Sequence, residues 1–361
     1  MTREVSIGNI KIGAGNPIAI QSMTNVNPHD EEAISAQLRS LSDAGCDIVR
    51  LTVPDREAAE VFGRVKKNLV KSGIDIPLVA DIHFDYRLAV EAMKNGADKI
   101  RINPGNIGSI DRVREVVRAA KERMIPIRVG INSGSLEKHI IEKYGGVTAE
   151  GLAESALLNL RIIEELGYDN LVVSLKSSDV RMNYDAHMLL SKECDFPIHV
   201  GITEAGTLKR GQVKSAVGIG ALLLNGIGDT VRVSLTANPV EEVYYAREIL
   251  RAIGLSESVV ELVSCPTCGR TVIDLEGLAG RIEKELEPIE KKLKAAGKKK
   301  IKVAVMGCAV NGPGEAKEAD FGVAGGNGEG LLFRKGEIIK KVAEDRIVPE
   351  LIDIIREATK L

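Results

Sequence analysis

The chain has 361 residues, 44% hydrophobic and 28% charged, proportions that suit globular packing and exclude a largely disordered state. Its formal net charge of −2 gives no overall attraction to nucleic acid, and aromatics at 3% with no Trp leave no stacking platform for single strands. Any anion site must therefore be local. At roughly 100–200 residues per domain the length predicts two domains. Met1 to Met23 lacks a basic region followed by a long apolar core, so a cytoplasmic location is expected. The longest largely apolar stretch, Ala216 to Ile227, is interrupted by Gly218, Gly220, Asn225 and Gly226 and falls short of the ~20 residues a spanning helix needs. It reads as a buried helix, with no membrane partner.

In chain order, short runs rich in Ile, Val and Leu recur at Ile18–Met23, Asp47–Val53, Pro77–Ile82, Lys99–Asn103, Pro126–Asn132, Asn170–Lys176, Pro197–Thr203 and Thr230–Thr236. Between them the apolar spacing turns helical, as in Glu31–Ala44, Arg56–Lys71, Ser109–Arg123, Ala149–Leu166 and Pro239–Ala252. Gly45, Gly73, Gly96, Gly167 and Gly254 fall where left-handed helix caps are expected. This alternation predicts an α/β protein whose N-terminal part, residues 1–256, is a (β/α)₈ TIM-type barrel that binds substrate. A doubly wound open sheet is the competing architecture.

Chemistry on a barrel sits at the C-terminal ends of its strands. The polar residues gather there: Arg50 and Thr52, Asp81 and His83, Arg101 and Asn103, Arg128 and Asn132, Lys176, His199 to Glu204, and Arg232 and Ser234. Strand side chains alternate between faces, so Arg101 shares one with Asn103, Arg128 with Asn132 and Arg232 with Ser234. If that face is the inner one, the cations converge on a single mouth suited to phosphate oxygens. The alternative is that individual arginines pair structurally with Asp47, Asp81, Asp98 or Asp229.

Residues 257–361 carry a different signal. Cys265-Pro-Thr-Cys268-Gly-Arg270 sets two thiols where both can reach one metal centre, and Cys308 follows the short apolar strand Ile301–Met306. Of five cysteines, Cys46 and Cys194 sit singly in the barrel region and read as packing residues. Three thiols suit either an iron–sulfur cluster or structural zinc. This part of the chain offers no histidine, and Glu315, beyond a Gly-Pro-Gly turn, is the nearest oxygen donor. Gly325-Gly-Asn-Gly-Glu-Gly330 reads as a hairpin turn between Phe321–Ala324 and Leu331–Lys335. Lys291–Lys302 reads as a solvated helix end, or a basic face for an acidic electron donor, and Pro288 is expected to kink or split a helix over Leu275–Ala295.

Ile20-Gln-Ser-Met-Thr24, Asp81-Ile-His83, Arg101-Ile-Asn-Pro-Gly105, Val129-Gly-Ile-Asn-Ser-Gly134, Gly201-Ile-Thr-Glu-Ala205 and the motifs Cys265-Pro-Thr-Cys268-Gly-Arg270 and Gly307-Cys308-Ala-Val-Asn-Gly-Pro-Gly-Glu315 together resemble the 4-hydroxy-3-methylbut-2-enyl diphosphate synthase family of the nonmevalonate isoprenoid pathway. The likeness covers nearly the whole chain, without departure at a motif position. It implies a bacterial two-domain type, with a smaller C-terminal α/β iron–sulfur domain that is sulfite/nitrite reductase-like. A 4Fe–4S cluster would be held by Cys265, Cys268, Cys308 and Glu315, the glutamate leaving to admit a substrate oxygen. The resemblance implies reductive ring opening of 2-C-methyl-D-erythritol 2,4-cyclodiphosphate with two electrons from ferredoxin or flavodoxin. By the same resemblance Arg50, His83, Arg101, Asn103, Arg128, Asn132, Lys176 and Ser234 would hold the diphosphate, and Glu204 would act as acid–base. It also implies a homodimer in which the cluster domain of one chain caps the barrel of the other. From the residues alone, two rivals stand beside this: a zinc-stabilised barrel aldolase or isomerase using Lys176 as Schiff-base former, and a noncatalytic iron–sulfur redox sensor.

Overall fold

The computed structural model describes residues 1–256, 258–308 and 316–360. The chain divides into two compact units, Met1–Ser256 and Glu257–Leu361. No helix of the described residues is long and apolar enough to cross a membrane.

The first unit opens with a hairpin that the sequence pattern did not reveal, β1 (Val5–Ile7) antiparallel to β2 (Ile10–Ile12). Eight parallel strands follow: β3 (Ala19–Met23), β4 (Ile48–Thr52), β5 (Leu78–Asp81), β6 (Lys99–Ile102), β7 (Ile127–Asn132), β8 (Leu171–Lys176), β9 (His199–Val200) and β10 (Thr230–Val231). They run in the order β8-β7-β6-β5-β4-β3-β10-β9. A parallel bridge between Val173 and Ile198 joins the two ends of that order, so the sheet closes as a barrel and the open-sheet alternative falls away. Helices follow the strands, many begun by an acidic or amide cap: Asp55 accepts from Ala58 N–H, Asp179 from Met182 N–H, and Asn238 from Val240 N–H. All five glycines expected to end helices have positive φ.

Two expectations need correction in length. The seventh and eighth strands are two residues each, where seven were expected in both. The ladder continues as far as the Arg232 N–H donating to the Val200 oxygen and recurs only as a parallel bridge between Thr207 and Thr236. Past it Gly201 comes so close to the Arg232 carbonyl that a Cβ would lie 2.5 Å from that oxygen, and Glu204 turns the chain at φ +51°. The apolar stretch expected as a buried helix belongs to Leu208–Leu224, which buries Ser215, Gly218, Ile219, Leu222 and Leu223 but exposes Val213, Val217 and Leu224. Its hydrophobicity therefore has two destinations, one inward and one outward.

The barrel interior is layered. At the floor, Ala19, Ile48, Val79 and Val172 pack against Val5, Ile7 and Ile12 of the hairpin, which plugs the N-terminal end of the barrel. Above the floor the interior becomes polar, while the apolar side chains between sheet and helices form a separate and larger core. That division follows from the strand period of two: Arg50 and Thr52 point in while Val49 and Leu51 point out.

The second unit is a five-stranded sheet in the order β11 (Val260–Ser264), β12 (Ile301–Met306), β13 (Phe321–Gly326), β14 (Glu329–Arg334), β15 (Glu337–Ala343), with β11, β12 and β13 parallel and the rest antiparallel. The glycine-rich stretch turns a hairpin as expected, but more tightly. Gly326 already pairs with Glu329, leaving Asn327 and Gly328 at the tip with Gly328 at φ +69°. The helix Leu275–Ala295 runs through Pro288 as one element, not split there, because Leu278, Ile282, Leu286, Ile289 and Leu293 bury a continuous apolar stripe with the sheet and the helix Ile347–Thr359.

The plug predicts its own energetics. Ile7→Ala removes a fully buried side chain and is expected to lower the unfolding free energy by about 2–5 kcal/mol. Val70→Ala on the exposed face of Arg56–Lys71 should stay within about 0.5 kcal/mol of wild type, both measured by urea denaturation.

Candidate active site

The inner faces of β3 to β10 present their polar side chains toward the C-terminal end of the barrel. Arg50, Lys99, Arg101, Arg128 and Lys176 are all buried, and Arg232 is nearly so. Adjacent strands bring them level, with Asp81 opposite Arg101, Arg101 opposite Arg128, and Asn132 opposite Lys176. Gly130 makes room in this layer: a Cβ there would lie 2.6 Å from Arg101 Nε. The nearby carboxylates are few. Asp81 faces Arg101 Nη1 at 3.4 Å, Arg50 Nε at 3.9 Å and the half-exposed His83 Nε2 at 4.0 Å. Glu242 is drawn from the helix Pro239–Ala252 and binds Arg232 through both oxygens at 3.2 Å. It also accepts from Ser22 Oγ at 2.9 Å and Leu235 N–H at 3.1 Å.

Two carboxylates do not balance these cations, and the electrostatics register it. Burial alone would raise the Asp81 carboxyl, but Arg50 and Arg101 override it and hold the group well below the usual carboxylate range. Burial, then the repulsion of Arg232 and Arg101, brings Arg50 down to about 10, and burial with the surrounding arginines pushes Arg128 and Lys176 well below their ordinary values. Several donors have no protein partner among the described residues: Arg101 Nε, Arg128 Nε and Nη2 and Gln21 Nε2, and the ring nitrogen His199 Nε2 is likewise without one. Arg128, with no exposed surface, makes one hydrogen bond among the described residues, to Ser174 Oγ at 3.1 Å. Unpaired donors of this kind are costly in a dry interior and are satisfied by an anion.

The sequence-expected residues separate into groups. Arg50, Arg101, Arg128 and Lys176 are one electrostatically coupled cluster. His83 joins through Asp81. Asn103 caps the short helix Pro104–Ile107, its side-chain oxygen accepting from Gly105 N–H at 3.1 Å. Asn132 and Ser234 stand partly buried after the inner-face cations of β7 and β10. Glu204 is exposed, in the left-handed region that non-glycine residues rarely adopt. Sequence reasoning left Lys99 and Glu242 out. Lys99 shares its face with Arg101 and Asn103, so the alternation could have found it, whereas Glu242 sits on the helix after β10 and turns back onto Arg232 and Ser22, a contact that strand alternation does not signal. Two concavities, of about 220 Å³ near Thr24 and Phe62 and about 680 Å³ near Cys194 and Asp229, lie outside this cationic cluster.

In the second unit Cys265 follows β11 directly and Cys308 lies just past β12, its parallel neighbour, so both emerge at the same edge of the sheet. Gly307 N–H donates to Cys265 Sγ at 3.1 Å, and Thr271 Oγ1 accepts from Cys268 N–H at 3.1 Å. Hydrogen bonds from the Arg270 backbone and guanidinium lower the Cys268 thiol, whereas burial pushes Cys46 up to about 12 and Cys194 to about 11. The donor set therefore suits a thiolate-bound metal centre at Cys265, Cys268 and Cys308. As they stand, no three His, Cys, Asp or Glu side chains among the described residues are gathered closely enough to hold a metal ion. Glu315, the expected fourth ligand, lies outside the described residues.

Asp81 yields a pH-dependent expectation. Its depressed carboxyl contributes stability that is fully present above the unfolded value near pH ~4 and is lost as pH falls toward the folded value. Asp81→Asn should cost roughly 3 kcal/mol at pH 7 by taking from Arg50 and Arg101 the carboxylate that they share. In urea unfolding that deficit should stay level from pH 8 to 5 and shrink only below about pH 4.

Comparison with known proteins bears on the whole length. Residues 2–247 match the model for the GcpE TIM-barrel domain, and residues 261–357 the model for the GcpE protein C-terminal domain. A relative from Caldanaerobacter subterraneus is 55% identical over 360 residues, covering 100% of this chain and 98% of its own. Another, from Geobacillus kaustophilus, is 57% identical over 350 residues, covering 97% and 90%. Both are named 4-hydroxy-3-methylbut-2-en-1-yl diphosphate synthase (flavodoxin). Among solved structures, 7,8-dihydropteroate synthase of Vibrio fischeri superposes with a TM-score of 0.51 at 13% identity, covering 70% of this chain and 99% of that one, a likeness of fold alone. With both of its units matched and relatives more than half identical across them, the chain belongs to the GcpE family.

Proposed function

We propose that this chain is an iron–sulfur oxidoreductase that opens 2-C-methyl-D-erythritol 2,4-cyclodiphosphate and reductively removes a hydroxyl, giving 4-hydroxy-3-methylbut-2-enyl diphosphate for nonmevalonate isoprenoid synthesis. The observation that carries the reading is the excess of buried, incompletely paired cations on the inner barrel face, which calls for a multiply charged anion. Full-length relatives named for this activity support it, and their names make flavodoxin the electron donor of choice. A cytoplasmic location accords with such a donor.

Arg50, Arg101, Arg128 and Lys176 would neutralise the two phosphates, with the buried Asn103 and the more accessible His83, Asn132 and Ser234 completing the diphosphate site. Because most of these cations are already buried, their interaction with phosphate is little screened by water. Asp81 and Glu242 hold the arginines in place without cancelling them. Glu204 would donate a proton to the departing oxygen, and its left-handed backbone supports that role, since such strain concentrates at functional positions. A 4Fe–4S cluster held by Cys265, Cys268, Cys308 and Glu315 would supply single electrons and a Lewis-acidic iron. In the active homodimer, the cluster unit of one chain would serve the barrel of its partner. The apolar row Val213, Val217 and Leu224, spaced along one exposed face of Leu208–Leu224, supports association.

Anaerobic assay of the reconstituted protein with the cyclodiphosphate and reduced flavodoxin should give product, with iron and sulfide bound. Stoichiometric zinc without iron, or binding without turnover, would sink the proposal. Glu204→Gln should lower kcat by about 10²-fold or more with KM and the visible cluster spectrum kept. Val217→Glu should shift sedimentation velocity from dimer toward monomer, and an unchanged dimer would remove that helix face from the interface.

A further inference from the structure

We infer that occupancy of the barrel mouth by a phosphate-bearing anion is coupled to uptake of a proton by Lys99, a positioning residue of the anion site that lies outside every recognised motif. The inference rests on the proposed function for the identity of the anion, though not for the existence of the coupling.

Lys99 opens β6, on the inner face it shares with Arg101, and has no exposed surface. Its amine reaches one protein partner among the described residues, Gln21 Oε1 on β3, at a long 3.4 Å. No carboxylate among the described residues pairs with it. Below it the hairpin plug and the strand starts are apolar. Lys99 pairs in register with Val79 of the barrel floor, Arg128 on β7 and Arg50 on β4 repel it, and His199 on β9 feels Lys99, Arg128 and Lys176 together. The two carboxylates of the region are engaged elsewhere, Asp81 with Arg50 and Arg101, Glu242 with Arg232. His199 turns Nδ1 to Thr230 Oγ1 at 2.8 Å and leaves Nε2 unpaired.

An amine so placed is destabilised as an ammonium twice over, by burial and by neighbouring cations, and it falls well below its ordinary value. An anion arriving among the arginines reverses the second effect. Its negative charge offsets Arg50 and Arg128, the repulsion on Lys99 drops, and the amine takes a proton from solvent to become an ammonium. The floor of the site thus adjusts its charge to the charge it receives, and the same residue sets how affinity depends on pH.

The test is calorimetry of the reconstituted holoenzyme with inorganic pyrophosphate at one pH in two buffers of different ionisation enthalpy. Wild type should take up protons on binding, and Lys99→Met should take up fewer by as much as about one per site. The affinity advantage of wild type over the variant should narrow as pH rises from 6 to 9. Equal proton numbers in the two proteins would overturn the inference and assign any uptake to Lys176 or His199. Pyrophosphate binding with Lys99-dependent uptake, but no turnover of the cyclodiphosphate, would sink the proposed function and leave the coupling standing. A ligand-free measurement covers weak binding. If Lys99 lacks its proton in the free protein, wild type should gain stability relative to Lys99→Met as pH rises from 7 toward 10, since the unfolded chain holds a proton there that the folded chain does not. A pH-independent difference in urea unfolding would overturn the inference.

Discussion

The interior of this barrel is built around positive charge that the protein itself does not neutralise. A typical barrel fills its centre with branched apolar side chains. Here only the floor is of that kind, and with it Arg50, Arg101, Arg128 and Lys176 are buried with Asp81 as the carboxylate among them, beside the amine of Lys99. Such an interior works against folding, because each desolvated cation costs free energy that a distant partner returns only in part. The fold tolerates it because its hydrophobic stabilisation lies elsewhere, in the continuous layer between strands and helices and in the hairpin beneath the floor. Ligand binding then supplies what folding leaves unsatisfied.

That arrangement also explains the division of labour among the polar residues. Asp81 and Glu242 act as struts: each is hydrogen-bonded or ion-paired to arginines that would otherwise repel one another. The rim residues His83, Asn132, Ser234 and Glu204 retain solvent access and freedom to meet a ligand. Short seventh and eighth strands belong to the same logic. By ending early at Val200 and Val231 they release the segment carrying Glu204 from sheet geometry. The second unit repeats the principle in another chemistry, placing thiols where two parallel strands end together and lowering Cys268 through Arg270.

Much of this was legible in the chain. Eight alternations of strand and helix pattern announced the barrel, and period-two spacing put Arg101 with Asn103 and Arg128 with Asn132 on common faces, because strand geometry is local. The glycine caps and the existence of a hairpin turn within Gly325–Gly330 were readable for the same reason, each depending on a backbone conformation that few residues adopt, while its tip at Asn327 and Gly328 was not. The hairpin plug was not readable. Its three-residue strands carry too few side chains to show a period, and they are stabilised by contact with the barrel floor.

What the sequence by itself determined was the inventory and its phase: the eight strand–helix alternations, which strand side chains share a face, and which thiols stand apart from the packing cysteines. Tertiary structure decided everything that depends on distance across the barrel. Closure through Val173 and Ile198 turned parallel rows of cations into one cluster. The helix after β10 brought Glu242 to Arg232 and, on neighbouring β3, to Ser22, and the lack of a carboxylate partner among the described residues made Lys99 more than a buried lysine. The reason is physical. Alternation is a property of successive bonds, whereas the sign and strength of a buried charge's surroundings depend on which strands come to face one another when the sheet closes.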